Sequence, residues 1–401
     1  MSPRVPQIPR YSGPLKHRFE NFGGIVASDD PPFLAFVDRA LMRELGFGES
    51  SRWSTEDTRV GLLSAPTEVH LAATNRCPNR CAHCYMGAGN ADAGEMDMAA
   101  LKRALKALAE FGVFHVALGG GEAMMRPDLF EVAAYARDVG LVPNLTVSGA
   151  RMTPDTAQAM RVFGQVNVSI DGLGAFDVFR CGAGFEAADR ALDLLVAAGV
   201  PAGINSVIGR RSFDGIPALF EYAKRKGANE IEFLRLKPAA RPWPAFAVER
   251  ATFDQNIALT PTLAALSERH GIAAKIDCSF VPMLCWHNPP VEYLEATATY
   301  GCEAGNVLLG VRSDGSVSGC SFLRSAGLSV FDVAGAWREH PGLNRLRTWT
   351  QRAPEPCRSC AYLETCRGGC HAVAAYLVND ADSPDPDCPR VVRYRHAEDA
   401  S

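Results

Sequence analysis

The sequence predicts an α/β protein: a partial (β/α)6 TIM-like barrel, preceded by a small strand–helix unit and followed by a cysteine-rich domain. Strand-like and helix-like segments alternate between residues 67 and 237, which is typical of a parallel sheet with helical crossovers. The 13 cysteines fall mainly into two groups, a short loop near residue 80 and a series after residue 300. A full eight-fold barrel would need more chain before the composition changes near residue 280, so an open barrel is expected.

The first sixty residues predict the small strand–helix unit. Gly23 and Gly24 precede a short apolar run that favours a strand. Two prolines at positions 31 and 32 then open a predicted helix that ends near Gly46. The apolar face of this helix would comprise Phe33, Phe36, Val37 and Leu41. We therefore expect residues 1–60 to form an N-terminal extension of the barrel.

The barrel is expected from the alternating segments that follow residue 65. The strand-like segments are apolar runs that cover residues 67–74, 114–120, 142–149, 166–171, 201–208 and 229–237. The helical patterns cover residues 98–110, 127–140, a segment that begins at Thr153 and Pro154, 186–198, 216–226 and 253–270. Several of these helices end at a glycine, which readily adopts the left-handed conformation of a helix C-terminus. The barrel domain is expected to span residues 65–278.

The composition narrows the class of protein. The apolar fraction is 47% and the charged fraction 21%, as in ordinary soluble globular proteins. A net charge of −4 gives no basic field that would favour nucleic acid. No apolar run is long enough to span a membrane, and the N-terminus lacks a signal-peptide core. We expect a reducing, cytoplasmic location, where clustered cysteines ligate metal or iron–sulfur centres more often than they form disulfides.

The first cysteine group directly follows the first strand of the predicted barrel. Cys77, Cys81 and Cys84 have the spacing C-x3-C-x2-C. Three thiolates from one loop can bind three irons of a four-iron cluster and leave the fourth iron open. The loop would lie at the carboxyl edge of the sheet, where barrel active sites lie. A zinc site with His83 as the fourth ligand is the alternative, although His83 lies directly beside Cys84, an awkward geometry for sharing one metal.

This loop resembles the signature of the radical S-adenosylmethionine (SAM) superfamily, with His83 in its aromatic position. The resemblance covers roughly residues 65–275 and includes segments at the ends of later strands. Gly119, Gly120, Gly121 and Glu122 resemble the family's Gly-Gly-Glu-Pro segment, although Ala123 replaces the proline. The resemblance implies that this segment binds the amino group of the methionine portion of SAM through backbone carbonyls and the acid.

Further strand ends match the same family in order. Ser169, Asp171 and Gly172 resemble its Ser-x-Asp-Gly segment, which implies contacts with the ribose or methionine portion. Arg180 matches an arginine that contacts the methionine carboxylate. The ends of the fifth and sixth strands, Asn205 and Leu236, are the remaining candidate cofactor-binding residues. The resemblance implies reductive cleavage of SAM to a 5′-deoxyadenosyl radical, which abstracts a hydrogen atom from the substrate.

The second cysteine group has seven members with irregular but specific spacing. They are Cys302, Cys320, Cys357, Cys360, Cys366, Cys370 and Cys388. The spacing resembles the SPASM domain, a module with two auxiliary iron–sulfur clusters, over about residues 285–395. The alternative is a zinc ribbon built on the four cysteines from 357 to 370, which leaves the other three unexplained.

The resemblance to SPASM domains implies a ligand set for each auxiliary cluster, both expected to be [4Fe-4S]. The outer cluster would be bound by Cys357, Cys360, Cys366 and Cys388. The inner cluster would be bound by Cys302, Cys320 and Cys370. Sulfatase-maturing members have one more cysteine, where this chain has Leu308. The fourth iron of the inner cluster would then be open or bound by an upstream cysteine, with Cys285 preferred and Cys278 second.

One cysteine near the expected SAM pocket belongs to neither group. Cys181 could donate a hydrogen atom or relay a radical, or it could be a small buried apolar residue. Asp177 and Glu122 are carboxylates of the same pocket, and neither is assigned as a general base.

Three functions are compatible with these patterns. The leading one is a maturase that abstracts hydrogen from a residue of a ribosomally synthesised peptide or protein, forming a crosslink, a thioether, an oxidised residue or an epimer. The second is a radical SAM enzyme for a small molecule such as a haem-pathway or cofactor precursor, whose relatives share the Cys-x-His-Cys-Tyr of residues 81–85. The third is a non-catalytic iron–sulfur electron carrier or zinc scaffold.

The expected partners follow from the leading function. They are a precursor peptide or protein and a flavodoxin- or ferredoxin-type electron donor, with neither nucleic acid nor membrane. Residues 20–46 could bind a leader peptide by pairing a strand edge with it, or could be a structural strap.

Overall fold

A computed structural model describes residues 15–29, 32–54, 56, 58, 60–174, 179–180, 184–241, 246–323 and 325–399. The strands in chain order are β1 Lys16–Glu20, β2 Gly23–Asp29, β3 Pro32–Asp38, β4 Glu68–Thr74, β5 His115–Gly120, β6 Val142–Val147, β7 Val166–Ser169, β8 Ala202–Ile208, β9 Glu230–Arg235, β10 Ala273–Ile276, β11 Leu308–Val311, β12 Ser316–Ser318 and β13 Leu328–Ser329.

The α-helices follow the same order. They are α1 Arg39–Glu44, α2 Met98–Phe111, α3 Leu129–Asp138, α4 Pro154–Ala159, α5 Gly184–Ala197, α6 Arg210–Asp214, α7 Ile216–Lys226, α8 Phe246–Glu249, α9 Phe253–His270, α10 Val281–Trp286, α11 Val291–Ala296, α12 Val333–Ala336, α13 Pro341–Arg347, α14 Leu363–Cys366, α15 His371–Leu377 and α16 Pro389–Asp399. No helix in these described ranges is both long and apolar enough to cross a membrane.

The central sheet confirms the six predicted barrel strands. Strands β4 to β9 lie side by side in chain order, and each pair is parallel. Strand β10 adds to β9 in parallel, which makes one more strand than the sequence indicated. The long helices expected between the strands form within a few residues of their predicted bounds, whereas the short α6 was not predicted.

The cysteine-rich region contributes directly to the same sheet. Strand β11 pairs in parallel with β4, and β12 and β13 extend the sheet by antiparallel pairing. The ten strands therefore run continuously from β10 at one edge to β13 at the other. As a result, β4, which leads into the first cysteine loop, is hydrogen-bonded to β5 of the barrel on one side and to β11 of the cysteine-rich region on the other.

The two faces of the barrel sheet differ in polarity. One face carries apolar side chains of each strand, such as Val69, Val168 and Ile204, which pack against the helices in one continuous core. The other face carries polar residues, among them Asn167, whose amide donates to Asn205 at 2.7 Å and to Glu232 at 3.3 Å. Alternation along each strand therefore places a dry core on one side and a hydrogen-bonded layer on the other.

The predicted N-terminal helix is wrong over most of its length. Strands β1, β2 and β3 form an antiparallel sheet of their own, and only Arg39–Glu44 is helical. The reason is that two small cores accept alternate β3 side chains: Leu34 and Phe36 pack against one, Phe33 and Ala35 against the other. A period of two satisfies both cores, which a helix cannot do.

Charged side chains of β1 hold this sheet against the barrel. The Arg18 guanidinium donates to the carbonyls of Ala65, Pro66 and Gly112 at 2.7, 3.0 and 2.7 Å. The Lys16 ammonium donates to the carbonyl of Val113 at 2.7 Å. These bonds satisfy carbonyls at the loops that precede β4 and follow α2, so the sheet is anchored at the amino-terminal end of the barrel strands.

Candidate active site

The first cysteine loop leaves the carboxyl end of β4 and is closed by backbone hydrogen bonds. The Cys77 N–H donates to the Gly89 carbonyl, and the Gly89 N–H donates to the Asn75 carbonyl, both at 3.0 Å. Within the loop, the Ala88 N–H donates to the Cys84 sulfur at 3.4 Å. An N–H donor of this kind stabilises a thiolate, as a cysteine ligand of a cluster requires.

Two charged side chains fix the loop from outside. The Arg241 guanidinium, which follows β9, donates to the carbonyls of Cys81 and Ala88 at 2.7 and 2.6 Å. The Glu95 carboxylate accepts from the Asn75 N–H at 2.6 Å. The loop is therefore held by a residue distant in sequence, which no local pattern reveals.

The three thiols of the loop lie close to one another and to Glu122. Burial raises the pKa of Cys77, and the negative charges of Glu122, Cys81 and Cys84 raise it further. Among the described residues, no three His, Cys, Asp or Glu side chains converge on the position of a single metal ion. Thiolates of an iron–sulfur cluster bind different irons and so surround the cluster.

The glycine segment at the end of β5 lies directly against this loop. The Gly121 N–H donates to the Thr74 carbonyl, and the Glu122 N–H donates to the Arg76 carbonyl, each at 2.8 Å. A Cβ on Gly121 would lie 2.2 Å from the Arg76 carbonyl oxygen, so only glycine allows this approach. A Cβ on Gly119 would meet nothing within 4 Å, which leaves open space beside the loop.

The carboxylate of Glu122 is bound by a residue that the sequence analysis missed. It accepts the N–H and the hydroxyl of Ser148 at 2.9 and 2.5 Å. Ser148 follows the last residue of β6, so it occupies the same strand-end position as the residues that were found. Its position at a strand end could have identified Ser148 from the sequence, because the ends of parallel strands meet at one edge of the sheet.

Asp171 organises the next strand ends. Its fully buried carboxylate pairs with the Arg180 guanidinium at 2.7 Å and accepts the Val207 N–H at 2.8 Å. The His83 imidazole lies 3.5 Å from the same carboxylate, and its other nitrogen lies 3.3 Å from the Phe179 carbonyl. Burial lowers the pKa of His83, against the raising effect of Asp171. Both ring nitrogens thus face other partners than the thiols, which argues against the zinc alternative.

Six of the predicted or newly found residues line one open pocket, namely Cys81, Ser148, Ser169, Asp171, Gly172 and Arg180. The pocket joins a thiol of the loop to a carboxylate and a guanidinium. These groups suit a ligand that carries an amino acid at one end and ribose hydroxyls at the other.

Two predicted residues lie elsewhere. The Asn205 amide bonds with Asn167 and Thr146 on the polar face of the sheet. Leu236 is buried in an apolar cluster with Phe179 and Phe246. Neither is among the described residues that line the pocket. The segment Gly119–Glu122 does not line it either, but Glu122 accepts hydrogen bonds from Ser148, which does. Cys181 and Asp177 lie outside the described residues.

The later cysteines form two separate groups, and the structure changes the place of Cys285. Burial raises the pKa of Cys302 to about 12, with further contributions from Cys320 and Cys370. Burial also raises the pKa of Cys278, and the negative charge of the nearby Cys302 raises it further. The inner set predicted from the sequence is therefore brought together, and Cys278 stands beside it.

The outer set lies around a second pocket. Its walls include the predicted outer ligands and one further thiol, namely Cys285, Cys357, Cys360, Cys366 and Cys388. A hydrogen bond from Cys366 lowers the pKa of Cys285, so these two sulfurs are in contact. Cys285 was preferred as a ligand of the inner cluster, but the structure places it with the outer set.

A buried cation lies between the first loop and the inner set. The Lys237 ammonium contacts Asp277 at 2.5 Å and stands 4.2 Å above the Phe322 ring. Tyr85, which follows Cys84, packs on the same ring at 4.6 Å between centroids. Burial opposes the charge of Lys237, but Asp277 dominates together with nearby thiols, and the pKa of Lys237 is raised.

Comparison with known proteins agrees with this architecture. The family profile described as "Radical SAM superfamily" matches residues 71–223. The chain is 31% identical over 353 residues to mycofactocin maturase MftC of Mycobacterium tuberculosis, covering 83% of this chain and 87% of that protein. It is 29% identical over 342 residues to the PqqA peptide cyclase of Ruegeria pomeroyi, covering 82% and 88%.

Solved structures share the fold at lower identity. SuiB of Streptococcus suis, crystallised with its precursor peptide SuiA, has a TM-score of 0.72 at 16% identity, covering 93% of this chain and 98% of that one. The protein anSMEcpe, with bound SAM and a peptide, has a TM-score of 0.63 at 17% identity, covering 84% and 99%. With the cysteine loop, the strand-end residues and the relatives in agreement, the chain belongs to the radical SAM superfamily.

Proposed function

We propose that this protein modifies a residue of a ribosomally synthesised peptide by hydrogen-atom abstraction. The observation that carries the proposal is the similarity over most of both chains to mycofactocin maturase MftC, supported by the PqqA peptide cyclase. The second name describes a protein that acts on a peptide, and SuiB, which shares the fold, was solved with its precursor peptide. We place the protein in the cytoplasm, with a flavodoxin- or ferredoxin-type electron donor.

Cys77, Cys81 and Cys84 would hold a [4Fe-4S] cluster with SAM bound at its open iron. When bound, these cofactors supply reductive cleavage of SAM and hydrogen-atom abstraction, chemistry that side chains alone cannot perform. The fit rests on the donor set: three adjacent thiols, open space beside Gly119 and a pocket that reaches Arg180.

The chain's own residues would orient and enclose the cofactors. Arg241 holds the backbone of the cysteine loop. Glu122, oriented by Ser148, would bind the amino group of the methionine portion, and Arg180, oriented by Asp171, its carboxylate. Both charged groups are pre-positioned by hydrogen bonds, so little ordering would remain to be done on binding.

The cysteine-rich region would hold two auxiliary clusters, and the domains would span residues 1–60, 65–278 and 285–395. The outer cluster would use Cys357, Cys360, Cys366 and Cys388, which surround one cavity. For the inner cluster we now favour Cys278 as the fourth ligand, because it stands beside Cys302 and Lys237. Cys285 would be a neighbour of the outer cluster.

The test of the proposed function combines two products. Anaerobically reconstituted, reduced protein should release 5′-deoxyadenosine from SAM, and the Cys77→Ala, Cys81→Ala and Cys84→Ala variants should not. Co-expression with candidate precursor peptides should change a peptide's mass only with the wild-type enzyme. Release of 5′-deoxyadenosine without any peptide change, together with turnover of a small molecule, would overturn the peptide assignment.

A matched pair of variants tests the fourth ligand of the inner cluster. Cys278→Ser should lower the iron content and alter the electron paramagnetic resonance signal of the inner cluster. Cys285→Ser, at a buried thiol in the same part of the chain, should leave that signal unchanged. The reverse result would restore Cys285 as the ligand.

A further inference from the structure

A large groove lies between the barrel and the cysteine-rich region, outside the cysteine sites. Its cavity volume is about 620 Å³. Its walls come from the first residue of α6, the junction of α8 and α9, the end of α15 and one side of α16. Both halves of the chain therefore build it, at the end of the barrel where the strand-end residues lie.

One wall of the groove is a single layer of side chains away from the first cysteine loop. Leu377 lines the groove and packs against the apolar cluster that contains Phe179. The Phe179 carbonyl accepts the N–H of Ala82, inside the cysteine loop, at 3.1 Å. A chain lying in this groove would thus run close to the site where the cofactors are expected.

The groove carries an excess of positive charge. Arg210, Arg250 and Arg395 line it, and Asp387 is the one acidic residue among the described lining residues. Asp387 is already engaged, because it pairs with Arg250 at 3.0 Å and with Arg235 at 2.9 Å. Arg210 and Arg395 are exposed and form no ion pair with any residue that the structure describes.

The same groove is also apolar along part of its length. Phe253, Leu377 and Val378 contribute to its lining. Among these lining residues, Val378 stays 38% exposed. Large apolar side chains that remain exposed around a cleft are typical of a site that binds a partner.

We propose that this groove binds an acidic, partly apolar segment of the peptide substrate that flanks the residue to be modified. The inference rests on the proposed function, and it deepens it by naming the chemistry of the recognised segment. Carboxylates of the segment would pair with Arg210 and Arg395, and its apolar side chains would cover Val378 and Phe253. A second copy of the chain is the competing occupant.

The test measures binding of a fluorescein-labelled peptide of alternating glutamate and leucine to the holoenzyme by fluorescence anisotropy. A peptide with lysine in place of glutamate is the probe control. The Arg210→Glu, Arg395→Glu double variant should weaken binding of the acidic peptide by about tenfold, since two exposed charges are reversed. Added salt should weaken wild-type binding more than variant binding.

A matched variant separates the groove from general surface charge. Arg190→Glu reverses an exposed arginine on α5 and should bind the acidic peptide as tightly as wild type. Equal binding by the double variant, or equal binding of the lysine peptide, would overturn the inference. A wild-type dimer that the double variant separates in analytical ultracentrifugation would assign the groove to a second copy and would also overturn it.

Mass spectrometry of co-expressed precursor peptides distinguishes failure of the two proposals. If peptides are modified while the double variant binds the acidic probe like wild type, the groove inference fails and the proposed function stands. If SAM is cleaved and a small molecule is turned over while no peptide is modified, the proposed function fails, and the groove loses its role as a substrate site even if it binds the acidic probe.

Discussion

At the scale of single residues, the Asp171 carboxylate contacts three partners near the first cysteine loop. Its carboxylate meets Arg180, His83 and the Val207 N–H, and the residue is 1% exposed. Hydrogen bonds to charged groups contribute more than neutral ones, and an orphaned partner adds a desolvation cost. Asp171 therefore links the loop, the fourth barrel strand and the fifth.

Replacing Asp171 with asparagine should lower both stability and SAM affinity. We expect a loss of about 2 kcal/mol in the free energy of unfolding, and at least about tenfold weaker SAM binding as Arg180 loses its orientation. Urea unfolding and isothermal titration calorimetry measure the two effects. Asp193→Asn, which removes an exposed ion pair with Lys226, should cost under about 1 kcal/mol; equal effects of the two variants would contradict this reading.

Lys237 has a different role, because it is a buried cation among thiols. Its neighbours include Cys278 and Cys370, and its ion pair with Asp277 is shielded from solvent. A positive charge beside an iron–sulfur cluster favours the reduced, more negative form. Under the proposed function, Lys237 would raise the reduction potential of the inner auxiliary cluster.

Replacing Lys237 with methionine should make that cluster harder to reduce. The missing cation and the remaining Asp277 carboxylate act in the same direction, so the midpoint potential should fall by roughly 50 mV or more. A redox titration followed by electron paramagnetic resonance gives the value. Lys275→Met, at a lysine paired with Glu230 and 59% exposed in its side chain, should leave the potential in place. An unchanged potential in Lys237→Met with full iron content would refute the role.

At the scale of elements, the N-terminal sheet shows how tertiary contacts override a local pattern. The pattern at Phe33, Phe36 and Val37 fits a helix, yet β3 forms because two cores receive alternate side chains. The sheet then depends on Arg18, which satisfies three barrel carbonyls and pairs with Glu20 at 2.7 Å. These contacts favour a structural strap, and pairing of an edge of this sheet with a leader strand stays a prediction.

Replacing Arg18 with alanine should loosen the strap and leave the barrel folded. Loss of the buried charge-assisted bonds should cost about 3 kcal/mol for docking of the sheet. Limited proteolysis should then cleave the segment between the strap and β4, while circular dichroism keeps its barrel signal. Arg43→Ala removes an exposed pair with Glu49 and should not change the cleavage pattern; identical patterns for both variants would rule the strap out.

At the scale of the whole molecule, a buried ion pair joins the barrel to the cysteine-rich region. Arg235, the last residue of β9, binds Asp385 through two bonds at 2.5 and 2.9 Å, and Asp385 is fully buried. Asp385 also accepts the N–H of Cys370 at 3.0 Å. One carboxylate thus ties the end of a barrel strand to a ligand of the proposed inner cluster.

Replacing Asp385 with asparagine should weaken the coupling between the two regions. Breaking a buried ion pair from one side costs about 3 to 5 kcal/mol, because the arginine stays buried without its full counter-charge. We expect a lower midpoint of thermal unfolding and loss of auxiliary iron, while iron bound by the first loop is retained. Asp382→Asn, at a more exposed pair with Arg345, is the control. Full auxiliary iron in Asp385→Asn would show that the pair does not support the cluster site.

The barrel strands and the family could be predicted from the sequence alone, and the two groups of cysteines are visible in it. These features are encoded locally: alternating apolar segments define strands, and cysteines such as Cys77, Cys81 and Cys84 are close in the chain. Parallel strands share one edge, so strand-end residues such as Glu122 and Asp171 could be placed before any contact was known.

Features that depend on residues far apart in the chain could not be predicted and become visible only in the folded protein. Ser148 orients Glu122 across two strands, Arg241 clamps the cysteine loop from beyond β9, and Cys278 rather than Cys285 approaches the inner set. Residues that are close in sequence must also be close in space, so the spacing within a short loop predicts their contacts. Residues far apart in sequence can be brought together in many ways at nearly equal entropic cost, so their spacing does not predict which of them meet.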